Sequence, residues 1–216
     1  MPLICLVRHG QASFGADDYD VLSDLGREQS GCVGEELRRR ELRDPLVVSG
    51  TLRRQRDTAA LLAEAAGYGA PAAPDSRLDE YDHVDLLERY PGKAGAGGSG
   101  SRQVQQLLDG ALRSWIAAGD ADGWPAFSTG AVAAVRDLAA GLEKGRDAVV
   151  VSSGGVIAAV VASLLGAPAD AVVALNRSAV NVGVTSLIAG STGLTLLTVN
   201  DHAHVTGPRR ELLTYR

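Results

Sequence analysis

At 216 residues with 45% apolar content, the chain has enough hydrophobic surface for one large domain more readily than for two small ones. Its formal charge of −5 excludes a broad nucleic-acid surface, which would need a basic patch making many phosphate contacts, so any phosphate affinity must be local. No apolar run approaches the ~18 residues that span a bilayer, and no leader-like segment is evident, so a membrane protein is disfavoured and a cytoplasmic location is expected.

In chain order, the apolar run Leu3 to Val7 reads as a fully buried parallel strand that stops at Arg8, His9 and Gly10. Leu25, Cys32, Val33 and Leu37 mark an amphipathic helix from Ser23 to about Arg40, with Ser23 or Asp24 as its N-cap. Cys5 and Cys32 fall inside these two elements, the pattern of a reducing compartment and not of a disulfide framework. Leu46 to Ser49 is a second strand. Leu52 to Ala66 is a helix opening on Arg53, Arg54 and Arg56, where positive charge opposes the helix dipole at a cost that a bound anion offsets. A short strand is expected around Ser76 to Leu78, leading into the acidic stretch Asp79 to His83.

Residues 93 to 101, rich in glycine, alanine and serine, read as a mobile loop. Helices are expected at Val104 to Ala117 and Thr129 to Leu142, with Trp115, Trp124 and Phe127 as packing residues. Ala148 to Ser152 is another uninterrupted apolar strand, followed by Ser153, Gly154, Gly155 and an apolar helix through Leu165. Two β-branched or alternating runs, Val182 to Ile188 and Leu194 to Val199, complete the pattern. Alternating strands and helices predict an α/β fold, a three-layer α/β/α sandwich around a mostly parallel sheet. The whole chain, 1–216, is expected to form one domain, with a helical insertion at about 83–128 over the active site.

Arg8-His9-Gly10 and Ser152-Ser153-Gly154-Gly155 both sit at the carboxyl ends of predicted parallel strands, where open α/β sheets gather their ligands. Gly10 and the glycine pair admit close backbone approach, and a helix starting after Gly154 aims N–H groups at an anion. These parts suit a phosphate.

The same residues resemble the histidine phosphatase superfamily, also called phosphoglycerate mutase-like, over most of the chain. Arg8-His9-Gly10 matches the motif ending the family's first strand. Ser49 to Ala59 matches its second signature, with Arg54 four residues ahead of Thr58-Ala59. Leu78-Asp79-Glu80 matches the segment supplying its acid, and Asn200 to Val205 its closing segment. The resemblance implies a metal-independent, cofactor-free phosphomonoesterase that acts on a small phosphorylated substrate, or holds inorganic phosphate, through a phosphohistidine at His9. Arg8 and Arg54 then depress the pKa of His9 and bind the phosphoryl oxygens, while Glu80 protonates the leaving oxygen and later activates water. That role needs Glu80 protonated near neutral pH although nearby arginines favour its ionised form, so desolvation or the substrate dianion has to compensate.

Ser153 departs from the family pattern, standing where a second histidine is normal. A hydroxyl still donates to a phosphoryl group but carries no charge, which loses roughly 1–2 kcal/mol. Gly15 stands where several members carry a phosphate-binding asparagine, and Gln11 or Ser13 is the expected substitute. The expected phosphate-binding set is therefore Arg8, Gly10, Gln11, Ser13, Arg54, Ser153 and Gly154. His83, in the acid loop, is an alternative source of the missing imidazole. Asp201, His202 and His204 raise a metal site, set aside because the resemblance implies a metal-free reaction. Ser153 raises one rival function, a phosphoanion-binding or regulatory protein with little turnover; a phosphomutase, which must return the phosphoryl group to a second position on the substrate, is a further alternative. Neither the substrate nor the oligomeric state is legible, and a homodimer is left open.

Overall fold

The computed structural model describes residues 1–13, 20–91 and 101–215; Gly15 and residues 93 to 100 of the glycine-rich loop lie outside them. Five strands form one sheet in the order β2-β3-β1-β4-β5, comprising β1 (Leu3–Arg8), β2 (Leu46–Ser49), β3 (Ala148–Ser152), β4 (Val184–Gly190) and β5 (Gly193–Asp201). The helices are α1 (Asp24–Arg39), α2 (Arg53–Ala66), α3 (His83–Arg89), α4 (Ser101–Ala118), α5 (Trp124–Gly141), α6 (Gly154–Leu165) and α7 (Ala169–Ser178).

The period of two along each strand divides the core. Cys5 and Val7 of β1 and Val149 and Val151 of β3 pack with Val33 and Leu37 of α1 and Leu62 of α2. Ile4, Leu6, Ala148 and Val150 face the other way, against Val135 of α5 and Val156, Val160 and Val161 of α6. A third cluster joins Leu86, Leu112 and Trp115 to Ala158 and Ala162 of α6 and to Val172 and Val173 of α7. Helix α6 is therefore covered on both sides, which explains why Gly154 through Ala162 are all buried and why its sequence shows no polar face. Among the described residues no helix is long and apolar enough to cross a membrane.

The sheet is mixed, a correction to the mostly parallel one expected. β2, β3 and β1 are parallel, but β4 runs antiparallel to β1 and β5 antiparallel to β4. Only Ser191 and Thr192 separate β4 from β5, too few residues for the crossover a parallel pair requires. The strand expected at Ser76 to Leu78 is instead a 3₁₀ turn, closed by the Asp75 side chain accepting from the Arg77 N–H at 2.9 Å. Just before it, the Ala72 and Asp75 amides do bond the β2 edge, at the carbonyls of Val47 and Ser49. Helices α3 and α7 were not expected; α4 and α5 start earlier than their apolar periodicity suggested, α5 with a proline in its first turn. Trp115, Trp124 and Phe127 pack on one another and on Tyr81, with ring centroids 5.3–5.7 Å apart.

Asp147 anchors the amino ends of the parallel strands. Its buried carboxylate accepts from the Leu3 and Arg43 amides, each at 2.8 Å, and pairs with the Arg43 guanidinium at 2.6 Å. Burial alone would raise this carboxyl, yet the hydrogen bonds from Arg43 and Leu3 hold it below its ordinary value. A depressed folded-state pKa stabilises the fold above the unfolded value of about 3.9, and that stability disappears as pH falls through the folded value. Asp147→Ala, which strands two amides, is expected to cost about 2–4 kcal/mol at pH 7. In urea titrations the deficit should be large at pH 7 and shrink below about pH 4.

Candidate active site

The carboxyl end of β1 is fixed from four directions. The Arg8 amide donates to the Gly183 carbonyl and the His9 amide to the Ser152 carbonyl, at 3.1 and 2.9 Å. Asn181 Nδ2 donates to the His9 carbonyl at 3.0 Å, and the Gly10 amide to Thr58 Oγ1 at 3.0 Å. Gly10 is required here because a Cβ would lie 2.3 Å from the Gly26 carbonyl oxygen, in the first turn of α1. Ser23, not Asp24, caps that helix, accepting from the Gly26 amide at 3.0 Å.

These constraints set the state of the His9 ring. Nδ1 lies 2.7 Å from the Gly10 carbonyl oxygen, which only accepts, so Nδ1 carries the proton. Nε2 then presents its lone pair, which accepts from Arg54 Nε–H at 3.2 Å. Burial foremost, then the charges of Arg8 and Arg54, hold His9 well below its ordinary pKa, against a weaker opposite pull from the Gly10 carbonyl. The neutral form of the ring is thus favoured, with burial a larger cause than the arginine repulsion anticipated from sequence.

Arg54, buried in the first turn of α2, also pairs with Asp20 at 2.6 Å. The same carboxylate accepts from the Arg53 amide at 2.7 Å. An anion was expected at this positively charged helix start, and the chain supplies one itself in Asp20. Arg8 is placed differently: its Nη1 donates to the carbonyls of Ala179 and Tyr215, the latter at 2.7 Å, tying the last residues of the chain to the site.

Glu80 lies beneath the start of α6. Its Oε2 accepts from the Gly155 amide at 2.9 Å, and a Cβ on Gly155 would stand 2.3 Å from Oε1. The glycine pair therefore admits a carboxylate of the protein at the helix N-terminus, where a ligand anion had been expected. Burial raises the Glu80 carboxyl above its ordinary value, outweighing the Gly155 hydrogen bond and the charges of Arg54 and Arg8. Desolvation thus moves Glu80 toward its protonated form.

Ser153 is fully buried, and its Oγ accepts from Gln55 Nε2 at 2.9 Å. Gln11 is bound into the α1 cap, its carbonyl and Oε1 both accepting from Ser23. The Ser13 amide bonds the Val21 carbonyl at 2.7 Å, and Gly154 packs on Asn176. His83 is exposed at the first residue of α3, unlike buried His9, Arg54 and Ser153. Asp201 pairs with Arg40, and His204 bonds the Val182 carbonyl. Sequence reading missed Asp20, Gln55 and Asn181. Asp20 had a faint signal in the acidic run ahead of the Ser23 cap; Asn181 had none.

Residues 4–202 match the model of the histidine phosphatase superfamily (branch 1). A glucosyl-3-phosphoglycerate phosphatase of Mycolicibacterium vanbaalenii is 34% identical over 190 residues, covering 77% of this chain and 76% of that protein. The structure of a mycobacterial glucosyl-3-phosphoglycerate phosphatase with inorganic phosphate superposes with a TM-score of 0.64 at 28% identity, covering 95% of this chain and all of that one. Bacillus stearothermophilus YhfR shares the fold, with a TM-score of 0.70 at 19% identity, covering 95% of this chain and 100% of that one.

Nitrogen-15 NMR of the imidazoles is expected to find His9 neutral and protonated on Nδ1 from pH 8 down to pH 6. Arg54→Gln, which removes one positive neighbour, should raise its pKa. An imidazolium at His9 in the wild-type protein at pH 6 would contradict this electrostatic account.

Proposed function

This chain belongs to the histidine phosphatase superfamily and is a phosphoric monoester hydrolase, and on that footing we propose that it works through a phosphohistidine at His9. The observation that carries the reading is the His9 ring itself: neutral, with its proton fixed on Nδ1 and its Nε2 lone pair turned to Arg54. Nε2 attacks phosphorus while the bond to the ester oxygen breaks, and that oxygen takes the proton of Glu80. Water then attacks the phosphohistidine, Glu80 accepts the proton released, and phosphate leaves with His9 restored. Arg8 and Arg54 carry the charge on the phosphoryl oxygens, helped by Gly10, Gln11, Ser13, Ser153 and the amide of Gly154. For the lone pair to reach phosphorus, the Arg54 Nε hydrogen bond must open, so Arg54 moves from nitrogen to phosphoryl oxygen as substrate enters.

No step calls for a metal ion, so chelation should leave the rate unchanged. The phosphatase relatives make glucosyl-3-phosphoglycerate the first substrate to try, within a wider panel of phosphomonoesters. Residues 83 to 128 set which leaving group is accepted. Free, buried Cys5 and Cys32 fit a reducing, cytoplasmic setting. A phosphate-binding protein with little turnover is the second reading, favoured by the neutral Ser153.

His9→Ala should abolish hydrolysis, and rapid quenching in base should trap labelled phosphate on the wild-type chain alone. Glu80→Gln should lower kcat about a hundredfold for alkyl phosphates, and less for p-nitrophenyl phosphate, whose leaving group needs little protonation. Because Glu80 acts as its protonated form, the rate should fall as pH rises through its elevated pKa. Hydrolysis that persists undiminished in His9→Ala would overturn the phosphohistidine, and wild-type turnover no greater than the His9→Ala background would leave the phosphate-binding reading in its place.

A further inference from the structure

The proposed reaction gives no role to Gln55, which is fully buried. Gln55 follows Arg54 on α2, and its amide group donates twice, to the Leu78 carbonyl at 3.0 Å and to Ser153 Oγ at 2.9 Å. The Leu78 carbonyl only accepts, so the amide nitrogen and not the oxygen must face this corner. Ser152 Oγ donates to the same carbonyl at 2.7 Å. Gln55 thus connects the helix bearing Arg54, the end of β3, and the turn that delivers Glu80 two residues later.

Two consequences follow for Ser153. With one lone pair of Oγ occupied by Gln55, the hydroxyl proton is turned away from Gln55, and among the described residues no acceptor takes it. A buried donor without a partner is costly, and a phosphoryl oxygen is a suitable acceptor. In addition, Ser153 is fully buried with a carboxamide nitrogen 2.9 Å from its Oγ, so a side chain as large as imidazole extending in that direction would meet Gln55.

We propose that Gln55 is a positioning residue for Ser153: its carboxamide fills the space of the family's second histidine and orients the Ser153 hydroxyl to donate to the transferring phosphoryl group. Positions 55 and 153 then form one unit, and histidine at 153 requires a smaller residue at 55. The proposal rests on the phosphohistidine reading for its catalytic meaning, while the coupling of the two residues is measurable by binding alone.

The test compares Ser153→Ala, Gln55→Met and their combination in kcat, KM and affinity for orthovanadate, together with Ser153→His and Gln55→Ala/Ser153→His. Gln55→Met keeps the volume and removes the donor. Ser153→Ala and Gln55→Met should each lower kcat about tenfold with little change in KM, and weaken orthovanadate in proportion. The combination should be no worse than either alone, since Gln55 acts through Ser153. Ser153→His alone should lose activity. The Gln55→Ala/Ser153→His pair should recover it and show a new fall in rate as pH rises through the imidazole range, because its donor now titrates. If Gln55→Met does not fold, Gln55→Asn, too short to reach Ser153, replaces it with the same expectation. Wild-type kcat in Gln55→Met, additive losses in the combination, or a Ser153→His enzyme as active as the pair would each overturn the proposal. A His9→Ala protein that still hydrolyses substrate sinks the phosphohistidine reading alone, because orthovanadate affinity still reports the coupling.

Discussion

The parallel register that sets Arg8 opposite Ser152 is the constraint on which the site depends. It delivers His9 and Ser153, the next residue on each strand, to neighbouring positions at one end of the sheet. The hydrogen bond from the His9 amide to the Ser152 carbonyl continues the ladder one step past β1. Because side chains alternate, a slip of one residue would exchange the faces of Cys5 and Val7 with those of Ile4 and Leu6, breaking both core layers. The packing that stabilises the sheet is therefore the same packing that places His9.

Burial then governs the chemistry of the groups delivered there. It is the largest influence on both His9 and Glu80, and because it disfavours charge in each it moves their pKa values in opposite directions, the imidazole down and the carboxyl up. Both shifts favour the neutral form, as the proposed phosphoryl transfer requires. The two arginines are charges that a low-dielectric site must balance, and the chain does so with Asp20 for Arg54 and with main-chain carbonyls for Arg8.

Much of this was legible in sequence because it is local. Uninterrupted apolar runs marked β1 and β3, and the glycines after them marked the tight approaches at Gly10 and Gly155. The direction of β4 and β5 was not legible, since an apolar run looks alike in a parallel or an antiparallel neighbour. Helix α7 carries only a short apolar stripe, and its helical state comes from packing on α6. The supporting residues were the least visible. Asp20 reaches Arg54 across 34 residues, Gln55 reaches Ser153 across 98, and Asn181 reaches His9 across 172. No spacing rule relates positions that distant; tertiary structure alone brings them together.

The structure also explains how such a site stays ordered without substrate. The Arg54 guanidinium meets the lone pair of His9 and the carboxylate of Asp20, and the amide at the start of α6 meets Glu80. On the proposed phosphohistidine route, an incoming phosphate monoester offers Arg54 oxygens in place of both partners, and frees Nε2 for attack as phosphorus arrives. Reorganisation is then limited to exchanging one set of charge-assisted hydrogen bonds for another, with the backbone held by Gly10, Gly26 and Asn181. Ser153 stands apart from this exchange. Among the described residues no acceptor takes its proton, so under the proposed arrangement a bond to phosphate there displaces no internal hydrogen bond, and a neutral hydroxyl makes good part of what a cationic imidazole would supply.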